Sequence, residues 1–231
     1  HGYSRGQSQN HDHLWVNVAT AGGAIDYWGE WPQVDYDEFT VTQDEWGFVL
    51  VEVQAGDEPE FVLKRISRGN EDTFRDNELR DQVTIRFNNT NPDQPEGISP
   101  NSQANPDFLV LSANDFSDED GDQPMAAEWS VYEDCNLSSE PVVNEFINMN
   151  NWYYNENTQE SIEITETTIS MALNSNSSYC WRVRYRDTSL GWSQWSETTS
   201  FTTGESQYSE NLLTNPGAEI GTFGWIVTEG Y

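Results

Sequence analysis

The fold is decided by the stretch Tyr179-Cys180-Trp181-Arg182-Val183-Arg184-Tyr185-Arg186. Successive side chains of a β-strand point to opposite faces of its sheet. The two tyrosines, Trp181 and Val183 therefore share one face, and the three arginines share the other face with Cys180. The alternation predicts a strand with one face in a hydrophobic core and the other in water.

Short β-rich runs flank this strand at the spacing of a β-sandwich. The best of them are Phe108–Ser112, Ala127–Tyr132, Ser161–Ile164 and Thr198–Thr202. Tyr179 follows Leu173 by a short turn, where sandwich domains place a tyrosine whose hydroxyl holds the backbone upstream. Trp129 is expected in the core opposite it. Residues 89–204 thus resemble a fibronectin type III domain.

Downstream, Trp192-Ser193-Gln194-Trp195-Ser196 resembles the WSxWS motif of cytokine-receptor fibronectin domains. If this stretch is extended with about three residues per turn, its two tryptophans share a face. They can then stack on guanidinium groups from the alternating strand. The candidate ladder consists of Arg182, Arg184, Arg186, Trp192 and Trp195. It can serve as a structural brace or as a receptor-type binding surface.

Two further features of this domain leave alternatives open. Residues 116–122, with the sequence FSDEDGD, and the following AAEW are similar to a loop and strand of fibronectin-like modules in secreted bacterial proteins. The alternating aspartates suggest a calcium loop, but no Glu follows at the bidentate position, which favours a solvated turn. Cys135 and Cys180 can form one disulfide if their Cα atoms lie within about 7 Å, or remain inert buried thiols.

The preceding segment, residues 1–88, is also rich in predicted strands. Leu14–Thr20, Trp46–Val53 and Glu60–Ile66 are β-rich runs, and the last two are expected to form a hairpin. Residues 83–87 alternate in a predicted exit strand. An Asn- and Pro-rich stretch follows and marks the domain boundary.

The opening residues have the form H-x-Y-x-R and resemble the end of a calcineurin-like metallophosphoesterase domain, of the kind found in purple acid phosphatases. Residues 16–23 resemble the strand and Gly-rich loop that follow the metal-binding motif in that family. Residues 47–53 and 61–65 resemble its closing hairpin. The resemblance implies that His1 is a metal ligand and that Tyr3, Arg5, Asp26 and Tyr27 lie at the mouth of the site.

The chemistry implied by the resemblance is hydrolysis of phosphate mono- or diesters at a two-metal site. A pair of divalent or trivalent ions would polarise the phosphoryl group and acidify a bridging water. The family's D-x-H, G-D-x-x-D and G-N-H-[ED] motifs are absent from this sequence, so the chain alone is expected to be inactive and to retain no metal.

Each of these roles also has a purely structural explanation. His1 can be an exposed terminal residue, and loop packing explains Asp26 and Tyr27 equally well. His11 and His13 could bind a metal from one side of an extended chain, but a solvated loop explains them as well.

The last segment, residues 205–231, resembles the opening strands of a jelly-roll module. The similarity lies in Asn211–Glu219 and in Gly224-Trp225. Such modules often bind carbohydrate, so a carbohydrate or cell-surface polymer is an expected partner. The segment is too short to bury a core alone.

Composition narrows the function classes. Asp and Glu number 40 against 10 Lys and Arg, giving a formal charge of -30. Such a charge repels nucleic acid and anionic membrane surfaces, and no apolar stretch is long enough to insert into a bilayer. We expect a mainly β protein, secreted or on the surface of a bacterium. Its parent is either a metal-dependent phosphoesterase with β-sandwich modules or a non-catalytic adhesion or spacer protein.

Overall fold

The computed structural model describes residues 2–18, 22–25, 39–150, 152–153, 156–157 and 162–206. Within these ranges the chain forms strands and loops and no helix, which confirms the mainly β class. The part of the chain described here therefore holds no helix long and apolar enough to cross a membrane. His1, Asp26, Tyr27 and residues 207–231 lie outside the described residues, so their expected roles and the jelly-roll opening stay predictions.

The first segment forms two three-stranded antiparallel sheets. The first has the order β2-β1-β3 and contains β1 (Tyr3–Gln7), β2 (Leu14–Asn17) and β3 (Phe39–Gln43). The second has the order β4-β5-β6 and contains β4 (Trp46–Gln54), β5 (Glu60–Gly69) and β6 (Phe74–Arg86). Pairing of β4 with β5 confirms the predicted hairpin. The expected exit strand is the end of the long strand β6.

Two further sheets face each other to make the sandwich. The smaller has the order β14-β9-β7, built from β7 (Gly97–Ser99), β9 (Leu109–Ala113) and β14 (Glu166–Ile169). The larger has the order β11-β10-β15-β16-β8. Its strands are β8 (Gln103–Ala104), β10 (Pro124–Tyr132), β11 (Val143–Asn148), β15 (Ser178–Asp187) and β16 (Thr199–Thr203). A small separate hairpin pairs β12 (Trp152–Tyr153) with β13 (Glu156–Asn157).

The core of the sandwich lies between these two sheets. Trp129 of β10 and Trp181 of β15 are fully buried and stack with ring centroids 5.6 Å apart. Leu109 and Leu111 of β9 face them from the smaller sheet. Burial of large aromatic side chains dominates the stability of such a core. The alternation of the deciding stretch thus places its apolar face as predicted.

Tyr179 forms the expected backbone contact. Its ring stacks on Phe201 with centroids 5.7 Å apart, and its hydroxyl oxygen accepts a hydrogen bond of 3.1 Å from the backbone N–H of Asn174. That bond lies just after Leu173, which is itself in the core. The predicted tyrosine contact is therefore confirmed.

One predicted strand is wrong. Residues 162–165 form a loop and turn, and the strand begins at Glu166. Ile164 is nevertheless buried in the core. Its side chain enters the core from the turn. In the sequence, this apolar residue in a short alternating run therefore resembles part of a strand. The inward positions of the observed strand are Thr167 and Ile169.

Candidate functional site

The ladder residues form one continuous stack on the outer face of β15. Arg182 lies over the Trp195 ring at 4.1 Å and the Tyr132 ring at 5.3 Å, measured from guanidinium carbon to ring centroid. Arg184 lies between Trp195 at 4.6 Å and Trp192 at 4.2 Å. Stacking of a cation on an aromatic face contributes roughly 0.5–1 kcal/mol at an exposed site and more when desolvated.

Two serines hold the tryptophan segment against the edge of β15. The N–H of Ser196 donates to the carbonyl of Val183 at 2.8 Å, and its hydroxyl accepts from the N–H of Val183 at 3.1 Å. Ser193 makes the same pair of contacts with Tyr185 at 2.9 and 3.0 Å. Strand β16 pairs only with residues 178–181 of β15. The serines therefore satisfy backbone groups that the neighbouring strand leaves open.

The exposed charges of the stack are already paired within the domain. Arg184 donates from Nε to the Glu128 carboxylate at 2.8 Å, and Arg182 donates to the Tyr132 hydroxyl at 2.9 Å. These contacts use the guanidinium groups internally. The geometry is that of a brace that fixes the tryptophan segment to the sheet.

Arg186 departs from the predicted water-facing pattern because it is completely buried. Its ring contact with Trp192 is 5.1 Å, but its nitrogen atoms donate to three residues of the first segment: Gln7 Oε1 at 3.1 Å, the Ser8 carbonyl and the His11 carbonyl at 2.9 Å. Its Nε also donates to the Leu190 carbonyl at 3.0 Å. Residues 7–11 cover this end of β15, so only part of its arginine face is exposed to solvent.

Cys135 and Cys180 are joined as a disulfide, with their Cα atoms 5.3 Å apart. Cys180 is on the arginine face of β15, opposite Tyr132 at the end of β10. Cys135 lies three residues beyond Tyr132, where the chain has turned back toward β15. The bridge therefore ties the loop after β10 to the strand that carries the ladder.

Tyr3 and Arg5 lie on β1 and are both buried. Arg5 makes a bidentate ion pair with Asp81 of β6, with Nε to Oδ2 at 2.6 Å and Nη2 to Oδ1 at 2.8 Å. The Tyr3 hydroxyl donates to the same Oδ2 at 2.8 Å. In the described part of the chain these two side chains thus serve to join the two sheets of the first segment.

Burial and pairing act in opposite directions on Asp81. Loss of solvation raises the pKa of its carboxyl, but the Arg5 charge and the hydrogen bonds from Arg5 and Tyr3 more than offset this, so its pKa lies below the ordinary value. Burial is also the main reason that the pKa of the Tyr3 hydroxyl is strongly raised. The carboxylate is therefore charged and the phenol neutral at neutral pH.

A second buried carboxylate, Glu45, was not foreseen from the sequence. Its Oε1 accepts from Arg75 Nε at 2.8 Å, and its Oε2 accepts from the Ser67 hydroxyl at 2.5 Å. The fully buried Arg65 donates to the Glu45 backbone carbonyl at 2.6 Å and lies 5.1 Å from the Tyr3 ring. No local sequence signal identifies this network, because its members come from the loop between β3 and β4 and from strands β1, β5 and β6.

The structure gives no metal site among the described residues, where no group of three or more His, Cys, Asp and Glu side chains could hold an ion. The rings of His11 and His13 lie 5.7 Å apart. In the acidic loop, Asp118 Oδ1 accepts from the backbone N–H groups of Asp120 and Asp122 at 2.9 and 3.1 Å. These contacts are those of an Asx-type turn.

Comparison with protein-family models gives a match within the sandwich, and comparison with curated proteins gives none. Residues 136–207 match the family model described as "Rha78A-like, N-terminal immunoglobulin domain". The family match begins at Asn136, so it leaves the metallophosphoesterase resemblance of residues 1–88 a prediction, and the proposed boundaries at 88 and 204 are likewise untested.

Among solved structures, the fibronectin(III)-like modules of Clostridium thermocellum CbhA align over 86% of this chain and 87% of theirs, at 10% identity and a TM-score of 0.35. Streptomyces avermitilis α-L-rhamnosidase in complex with L-rhamnose aligns over 49% of this chain and 10% of its own, at 16% identity and a TM-score of 0.32. A DUF3823 family protein from Bacteroides uniformis aligns over 64% and 75%, at 12% identity and a TM-score of 0.33. The strand order of the two facing sheets is itself that of a β-sandwich module.

Proposed function

We propose that the sandwich is a non-catalytic module that holds the first segment in a fixed orientation, as a rigid spacer in a secreted or cell-surface bacterial protein. The observation that carries this proposal is the burial of Arg186 between the two parts of the chain. An arginine that donates across a junction to three fixed acceptors restrains both rotation and translation of the joined parts.

Other buried contacts at the junction act in the same direction. Gln7 Nε2 donates to Asn148 Oδ1 at 2.7 Å in a buried contact between the two parts, and Asn89 Nδ2, at the start of the sandwich, donates to Asp187 Oδ2 at 2.8 Å in a partly buried one. Joined domains usually move relative to one another unless their interface is large or tightly packed. Here buried hydrogen bonds replace the flexible hinge that the Asn- and Pro-rich connection would otherwise provide.

The experiment is to measure backbone ¹⁵N relaxation of the chain and of Arg186→Met, which keeps an unbranched apolar stem and removes the donors. Lys64→Met, which removes a partly exposed cation of β5, is the matched control. We expect one rotational correlation time for both parts of the parent and of the control, and two different times for Arg186→Met. Independent tumbling of the two parts in the parent would overturn the spacer proposal.

The phosphoesterase parent is a second candidate, supported by the way β1 is fixed. The Arg5–Asp81 pair holds β1, which starts two residues after His1, and a metal ligand needs such a rigid support. The described residues supply no metal-binding group of three, so no step is assigned to a metal pair. Metal analysis and hydrolysis of bis(p-nitrophenyl) phosphate by the full-length protein test this candidate. A gene without Gly-His-x directly before His1 would remove it.

The carbohydrate or cell-surface polymer proposed as a partner rests on residues 211–225 alone. Its resemblance to jelly-roll modules supports a role at a polysaccharide surface. Retention of the full-length protein on an insoluble polysaccharide, and loss of retention when residues 205–231 are deleted, would support that partner.

A further inference from the structure

A cavity of about 540 Å³ lies between the far end of the β4-β5-β6 sheet and the loop that follows β15. Such a volume is within the range of small-molecule sites, about 300–1,000 Å³. Its apolar lining comes mainly from four side chains, Val53, Phe61, Ile85 and Phe87, with Leu190 opposite them.

The walls of the cavity are held in place from both sides. The backbone N–H of Arg86 donates to the Ser189 hydroxyl at 3.1 Å, and that hydroxyl donates to Asp122 Oδ2 at 2.7 Å. Leu190 is buried in a left-handed backbone conformation with φ of 75°. A non-glycine residue is strained in that region, and such strained residues are often found at functional sites. The surrounding hydrogen bonds keep this wall formed without a ligand.

Gly191 lets the two halves of the wall approach closely. A Cβ atom at this position would lie 2.5 Å from Asn89 Nδ2 and 2.7 Å from Asn91 Oδ1. Only glycine allows the amides to pack over this turn. The position of the amides at the rim is therefore built into the backbone.

The apolar side of the cavity carries an unusually exposed aromatic ring. Phe87 is 84% exposed, although it lies beside the partly covered Phe61 and Ile85. A large apolar ring left in water forgoes the favourable free energy of burial. A flat apolar surface at the mouth of a polar-rimmed cavity is suited to a ligand with one apolar face.

The rim is rich in groups that both donate and accept hydrogen bonds. The amides of Gln54, Asn89 and Asn91 line it, and the Asn89 Oδ1 atom has no hydrogen-bond partner among the described residues, whereas the Ser189 hydroxyl is already used by Arg86 and Asp122. Amide groups match ligand hydroxyls, because both donate and accept hydrogen bonds.

Charge excludes an anionic ligand. Asp12 and Glu60 also line the rim. Among the described residues that line it, the one cation is Arg86, which is engaged by the Asp120 carbonyl at 2.8 Å and by Asp122 at 3.2 Å. The formal charge of the whole chain is -30. Phosphate, sulfate and uronate groups would be repelled from this site.

We propose that this cavity binds an uncharged sugar residue, with Phe87 against the apolar C–H face of the ring and the rim amides on its hydroxyls. A sugar ring combines one apolar face with a perimeter of hydroxyls, which is the chemistry that the cavity offers. The site lies outside residues 205–231 and does not depend on the spacer role.

The test is titration of the ¹⁵N-labelled chain with uncharged glucan, xylan and mannan oligosaccharides. We expect at least one to bind with a Kd of about 1 mM or below and to shift the amides of Phe61, Ile85, Asn91 and Gly191. Phe87→Ala should weaken that binding by about tenfold or more. Phe74→Ala is the matched control, because Phe74 is 75% exposed and lies at the other end of β6.

Three results would overturn the proposal: no shift of these amides by any of the oligosaccharides at about 10 mM, equal loss of binding in Phe74→Ala and Phe87→Ala, or tighter binding of a sulfated glucan than of the uncharged one. The outcome is independent of the junction experiment. A chain with two correlation times can still bind sugar, and a rigid chain can fail to do so.

Discussion

Replacing Asp81 with Asn should unfold the first segment far more readily than its conservative chemistry suggests. The substitution keeps the shape of the side chain but leaves the Arg5 guanidinium buried without a counter-charge. The new amide N–H₂ also faces a donor where the carboxylate had an acceptor. The donors of Arg5 and Tyr3 must then share the single oxygen of the Asn side chain. The Arg5 and Asp81 side chains are only 6% and 8% exposed, so water cannot replace the lost carboxylate.

The magnitude follows from that burial. Removing one partner of a buried ion pair costs about 3–5 kcal/mol, because the remaining charge stays desolvated. The Lys64–Glu52 pair of β4 and β5 provides the matched control, since its nitrogen–oxygen distance is also 2.6 Å while Glu52 is 51% exposed. Exposed pairs contribute about 0–1 kcal/mol. We therefore expect Asp81→Asn to lose at least about 3 kcal/mol and Glu52→Gln less than about 1 kcal/mol.

The assay is hydrogen exchange of the β5 and β6 amides, which reports the stability of this sheet separately from the sandwich. If Asp81→Asn fails to fold, the triple variant Tyr3→Phe, Arg5→Met and Asp81→Leu should restore folding, because both charges and the hydroxyl that donates to the carboxylate are then removed together. Equal exchange in Asp81→Asn and Glu52→Gln would refute the reasoning, as would a triple variant less stable than Asp81→Asn.

Acid should act through the same carboxylate. Its folded pKa lies below the unfolded value, so the ion pair contributes full stability above the ordinary aspartate pKa of about 4. That contribution is lost as the pH falls through the lower, folded pKa. Asp81→Asn should therefore lose less stability than the parent on acidification below about pH 4.

Three further predictions concern the sandwich. Trp195→Ala should cost about 1–2 kcal/mol in urea unfolding, since the ring stacks on two guanidinium groups, and unchanged stability with unchanged arginine side-chain mobility would rule out the brace. Burial of Asp187 raises its pKa to about 6, so the folded state binds a proton at a higher pH than the unfolded state does. The free energy of unfolding of the parent should therefore rise, by at most about 3 kcal/mol, as the pH falls from about 7 to 4. Asp187→Asn should lack that gain, and parallel pH profiles of the two proteins would contradict the assignment. Reduction of the Cys135–Cys180 bridge should lower the free energy of unfolding by about 2–4 kcal/mol, and an unchanged Tm in dithiothreitol would show that the bridge is unimportant.

The sandwich was predictable because its signals are local. Alternation in residues 179–186 identifies the core face, and the three-residue spacing of Trp192 and Trp195 indicates that they stack on one face. The structure places those rings on Arg182 and Arg184 at 4.1–4.6 Å. Each of these inferences needs only the period of the chain and the chemistry of neighbouring side chains.

The buried charges could not be predicted, because the contacts that bury them join residues far apart in the sequence. Alternation says on which face of β15 Arg186 lies, but not that a loop 175 residues earlier covers it. Likewise, Arg5 and Asp81 are 76 residues apart and belong to different sheets. An isolated Arg or Asp in a polar-rich strand is expected in water. Only the tertiary arrangement turns these residues into buried pairs.

Brace and junction are parts of one structure, because they share a ring. Trp192 stacks on Arg184 within the brace and on Arg186 at the junction. The brace therefore fixes the position from which Arg186 donates to residues 7–11. The same row of arginines changes from a surface contact at Arg184 to a fully buried connection within two residues. A flexible tether would not need this buried end, so the arrangement supports the proposal that the sandwich is a rigid spacer that keeps the first segment in one orientation.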